Sequence, residues 1–215
     1  MSDIDYEDVK AASETAVLGW GGTTNQWLPI IGEGDIHLRD SADAARRCAA
    51  LCAMTAVSEG MKCAQALAWL QKSGCESGLD ETELDILLKH RSAPWKMRRL
   101  LAGHREALWA AAWVGGLCDD LTPVDGVPKE LAKALPNPRR GGTAEQILDK
   151  YRLRPLEELY RKLDLFYRAH WHEVNSRLSG QPTGRFRPEQ IVPRRWLLEW
   201  VMNSEAEWCE VDLST

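Results

Sequence analysis

The stretch HREALWAAAWVGGL, residues His104 to Leu117, decides the fold. It is the most apolar run in the chain, and it could be a membrane span, the floor of an active site or a core helix. A span needs about 20 apolar residues. Here Arg105 and Glu106 stand on one side and Asp119 and Asp120 on the other, with only about a dozen apolar residues between them. That is too short to cross a bilayer. Apolar on nearly every face, the run reads as a buried central helix, and Gly115-Gly116 is its stop signal.

Helical signals extend on both sides of it. Asp40 or Ser41 caps DSADAARRCAALCAMTAVSEG and Gly60 ends it, with Leu51, Cys52 and Met54 on the apolar side and Arg46 and Arg47 on the wet one. MKCAQALAWLQKSG is a second helix, ended by Gly74. Asp80 and Glu83 have the spacing of a capping box. Ser92 caps APWKMRRLLAGHREALWAAAWVGG, which Gly103 divides. TPVDGVPKELAKALPNPRRGG is a Pro/Gly-rich linker with a short helix over residues 129–135, and 119–143 is where an internal boundary would fall. Thr143 and Gln146 suggest another capping box, and Pro155 suits a first helical turn. In the long helix that follows, Leu156, Leu159, Leu163, Phe166, His170 and Val174 share one face. Pro193 marks the start of the last helix or kinks it.

Strand patterns are nearly absent. The expectation is an all-α protein: a single compact multi-helix domain over residues 41–215 with a Trp-rich core. Residues 1–40 form an irregular N-terminal segment whose loop pins Trp20 and Trp27 onto the body. Ten Trp against two Phe motivate the Trp-rich core.

The net charge of −5 disfavours a generic nucleic-acid binder and leans towards a basic partner. The acidic start, MSDIDYEDVKAASE, does not resemble a secretion signal. Six cysteines scattered through helical stretches then fit reduced thiols in the cytoplasm. His170 and His172 stand two apart, so a helix points them to different sides and they cannot share an ion undistorted. Cys48 and Cys52 share a helix face but have no third ligand nearby in sequence, which suggests a buried seam. GWGG lacks the Lys and Ser/Thr of a nucleotide loop. No metal and no cofactor are expected. KHRSAPWKMRR is a local basic patch, the one feature in favour of an anionic ligand or nucleic acid.

The polar residues set inside apolar surroundings are Arg105 and Glu106, then Asp164, Tyr167, Arg168 and His170. Asp164 and Arg168 are four apart and can pair on a helix. Buried charges must be paired and hydrogen-bonded, so these residues either staple helices together or line a pocket. Glu106, Asp164 and Arg168 are expected to be mostly buried and mutually paired.

Three blocks, HREALWAAAWVGGL, LDLFYRAHW and PRRWLLEWVMNSEAEWCEVDLST, resemble in that order a bacterial family of domains of unknown function, number 4272. The resemblance covers roughly Ser41 to the C-terminus. By position it carries Arg105, Glu106, Trp113 and Gly115, then Asp164, Tyr167, Arg168, His170 and Trp171, then Arg194, Trp200 and Trp208. Val114 and Gly116 depart from the first block, and Glu210 and Ser214 from the last. The resemblance implies the helical fold and these polar positions, and no reaction.

The functional expectation is a non-enzymatic cytoplasmic protein-binding module, in concrete form an immunity- or antitoxin-like protein that neutralises a basic toxin by direct binding. The alternative is an enzyme or small-ligand protein using a polar pocket around Glu106, Asp164, Tyr167, Arg168 and His170.

Overall fold

A computed structural model describes residues 4–31 and 36–215, with backbone alone at 99–100. In chain order the α-helices are α1 (Tyr6–Gly19), α2 (Ser41–Ser58), α3 (Cys63–Lys72), α4 (Glu81–Lys89), α5 (Trp95–Leu100), α6 (Ala102–Val114), α7 (Leu131–Ala134), α8 (Glu145–Leu148), α9 (Leu156–Leu178) and α10 (Pro188–Met202). No strand forms among the described residues, and one isolated parallel bridge joins His37 to Asn203. The protein is all-α. The chain divides into two compact units: residues 1–38, 122–126 and 154–215 form the first, and residues 39–121 and 127–153 the second. Two of the crossings, near 121 and 126, fall inside the Pro/Gly-rich linker.

In the second unit α2 packs on α6, α3 and α8. Asp40 caps α2, its carboxylate accepting from Ala42 N at 2.6 Å. The opening stretch is α6, buried from Ala107 to Val114. Its indoles fix the turn that follows: Trp109 Nε1 donates to Asp120 O at 2.7 Å and Trp113 Nε1 to Asp119 O at 3.1 Å. Gly115 is required by close approach, because a Cβ there would enter the Tyr151 ring. No helix among the described residues is long and apolar enough to cross a membrane.

In the first unit α9 packs against both α1 and α10. The N-terminal segment is not irregular throughout: Asp5 caps α1 through Asp8 N, and Val9, Ser13 and Val17 bury one stripe. The α10 helix begins at Pro188, so Pro193 lies inside it and does not start it. Pro155 takes the capping position, one residue before α9. Ser92 lies too far before Trp95 to cap α5, and α8 has no side-chain cap in place of the expected Thr143 box.

The Trp-rich core is only partly realised. Trp109, Trp113 and Trp200 are buried, whereas Trp27 is 81% exposed and Trp95 67%. The indole N–H needs an acceptor, so several of these side chains settle at the margin of the core beside backbone carbonyls. Trp69 donates to Gly142 O and Trp196 to Trp208 O in this way.

Candidate functional site

The helical spacing of Asp164 and Arg168 puts both on one face of α9, and that face is turned inward. Both are essentially fully buried. Arg168 Nε donates to Asp164 Oδ2 at 2.9 Å and Nη2 to Asp164 Oδ1 at 2.8 Å, a bidentate pair. The remaining capacity goes to other elements: Nη1 to Glu14 of α1 at 3.3 Å and Nη2 to Pro29 O at 3.2 Å. All three guanidinium nitrogens are therefore engaged by the chain itself. The Tyr167 ring lies 5.8 Å from the Arg168 guanidinium and 5.0 Å from that of Arg195.

Arg195, which sequence reasoning missed, anchors a second cluster on α10. It is buried, pairs with Glu199 one turn on at 3.0 Å, and donates to Leu213 O and Ser214 O, so it fastens the C-terminal tail. Its Nη1 also donates to His170 Nδ1 at 2.8 Å. A guanidinium cannot accept, so Nδ1 carries the lone pair and the ring is neutral. Burial, reinforced by the Arg195 charge, holds the His170 pKa at about 4. Arg194 is equally buried and donates to Thr122 O. His172 is buried too, its Nδ1 receiving Thr23 N at 3.0 Å and its pKa lowered by burial.

These shifts set an acid response. A histidine with a depressed folded pKa contributes stability that is complete above its unfolded pKa and is lost as pH falls through the folded one. For His170 the window runs from 6.5 down to about 4. Unfolding free energy measured by denaturant titration is expected to fall across it, and His170→Gln to flatten that slope. An unchanged slope in the variant would contradict the assignment.

Arg168, together with Lys10 and Tyr160, also supports a surface feature. Residues 25–31 are tied from beneath at four carbonyls. Lys10 Nζ donates to Gln26 O at 3.2 Å and Leu28 O at 2.8 Å, Arg168 to Pro29 O, and Tyr160 Oη to Ile31 O at 2.8 Å. Asn25 closes the turn, its Oδ1 accepting from Trp27 N at 3.0 Å. The expected pinning therefore applies to the backbone: the Trp27 side chain stands out from it into solvent.

Arg105 and Glu106 lie in the second unit, near the start of α6. Arg105 is exposed and Glu106 half-buried, so neither shares the deep burial of Asp164 and Arg168. The reason is position, since the buried part of α6 starts only at Ala107. Among the described residues, the second unit's buried charges are Arg47 and Glu83. Arg47, read from sequence as solvent-facing, is 1% exposed and forks onto Glu83 through Nη1 at 2.5 Å and Nη2 at 3.0 Å. Glu83 also meets His104 Nε2 at 2.7 Å and accepts from Asp80 N, completing the expected capping box of α4. Burial alone would raise its pKa, but the Arg47 charge and the hydrogen bonds from His104 and Arg47 hold it down at about 2.

A cleft of about 120 Å³ opens in the second unit between α2, the start of α6 and residues 127–138. Cys52 lines it and donates to Pro136 O at 3.3 Å; burial pushes its thiol up to about 12, so it is no nucleophile at neutral pH. All six cysteines are free, and Cys48, Cys52, Cys63 and Cys75 are buried. Among the described residues no three His, Cys, Asp or Glu side chains gather to hold a metal ion.

No match was found among curated proteins or among solved structures. One family does match: "Domain of unknown function (DUF4272)" spans residues 12–211 of the 215-residue chain. The match starts within α1, well before residue 41, and covers both compact units almost entirely. The chain belongs to the DUF4272 family.

Proposed function

We propose that the chain is a cytoplasmic protein-binding module whose contact surface is centred on Trp27, and that it acts as an immunity- or antitoxin-like protein by occluding a basic partner. The observation that carries this reading is the exposed indole on a backbone already held in place. Trp is a preferred interface anchor, and a pre-fixed segment avoids much of the ordering cost of binding. The charge distribution supports the sign of the partner. The first unit, which bears Trp27, has 18 Asp and Glu against 10 Lys and Arg, a formal −8; the second has 14 against 17, a formal +3. Such a field speeds encounter with a basic surface.

The enzyme alternative has less support. In its proposed pocket Arg168 is spent on Asp164, Glu14 and Pro29, and His170 on Arg195.

The test is calorimetric titration of the chain with the product of the gene adjoining its own. The expected complex weakens with added salt. Trp27→Ala loses at least about 2 kcal/mol of affinity, roughly thirtyfold, with unchanged melting. No complex, or a complex indifferent to Trp27→Ala, would count against the proposal.

A further inference from the structure

We infer that the cleft in the second unit is a binding site for a small carboxylate with a short branched apolar tail. Part of the lining is a stripe of α2 at helical spacing, Cys52, Thr55 and Ala56, continued by Glu59 at the C-cap. Three of these are small, and that leaves the space. Much of the remaining lining is apolar, with Leu108, Val127, Leu131 and Leu135. The volume is of the order of the roughly 150 Å³ apolar cavity that takes up benzene. It admits a handful of heavy atoms and no nucleotide.

Two groups give the cleft its chemistry. Thr55 is nine-tenths buried, and its hydroxyl has no hydrogen-bond partner. A helical Thr often back-bonds to the preceding turn, and a buried unpaired hydroxyl is costly; the oxygen is closed to water, so it would reach a carboxylate in the cleft by rotation about its Cα–Cβ bond. Arg105 lines the same cleft, is exposed, and makes no hydrogen bond or ion pair among the described residues. A guanidinium and a hydroxyl together suit a carboxylate. Glu59 sits one turn beyond Thr55, with Arg139 Nη1 on its backbone carbonyl at 3.2 Å. The carboxylate could belong to a simple acid or to an apolar amino acid, and Glu59 is the group that would tell them apart by receiving an ammonium.

The experiment titrates the ¹⁵N-labelled full chain with 4-methylpentanoate and with leucine, following backbone amides of residues 52–59 and 127–138. Saturable shifts with at least one ligand below about 10 mM are expected. Arg105→Gln should weaken them at least tenfold. Thr55→Val, which removes the unpaired hydroxyl at constant shape, should also weaken binding while leaving melting unchanged or raised. Tighter leucine binding that Glu59→Gln abolishes identifies an amino acid, and tighter 4-methylpentanoate a simple acid; either supports the site. The absence of saturable shifts from both ligands, or shifts insensitive to Arg105→Gln, overturns it.

Discussion

Arg168→Ala is expected to cost about 3–5 kcal/mol of unfolding free energy, the usual price of stranding one member of a buried ion pair. The variant leaves the Asp164 carboxylate 1% exposed and without its bidentate partner. It also releases Pro29 O and Glu14, so residues 25–31 and α1 both lose a tie to α9. Two readouts follow. Denaturant titration should show the loss of stability, and hydrogen exchange at Leu28, whose amide bonds Asn25 O at 3.0 Å, should quicken beyond what global destabilisation explains. A fully stable Arg168→Ala would mean that the pair is held at the expense of the fold, as groups reserved for a ligand often are.

Glu83→Ala is expected to be of similar size, about 3–5 kcal/mol, and to act in the second unit. It strands the buried Arg47, removes the contact with His104 and opens the capping box of α4. Glu83→Gln keeps the reach to Asp80 N and should cost less. Because the folded pKa of Glu83 is depressed, its contribution is complete above the ordinary 4.5 and is lost as pH falls through about 2. Denaturant titrations at pH 7 and pH 3 should therefore differ less in Glu83→Gln than in the wild type. An equal difference would show that Glu83 does not carry the acid response.

The features that the sequence made legible are those written locally. The caps Asp40 and Asp80, the stop at Gly115 and the Asp164–Arg168 spacing are all decided within one or two turns, and each holds. The misreadings share a non-local cause. Arg47 looks solvent-facing because its partner Glu83 is 36 residues away. Arg195 and the tail carbonyls it holds are 18 and 19 residues apart. The α1 helix was hidden because its buried stripe is short and includes Ser13. Composition could not say where ten indoles would sit, and in Trp27 it concealed the side chain on which the functional proposal rests.

The central claim is that the charges buried along α9 act as fasteners for the segments around them. A double-mutant cycle of Asp164→Leu and Arg168→Met, followed by denaturant unfolding, tests it most directly. The account predicts large single losses and a double variant that is more stable than their sum by about 1–3 kcal/mol, because replacing both partners removes the stranded charge. Single variants near wild-type stability, or strictly additive losses, would contradict it.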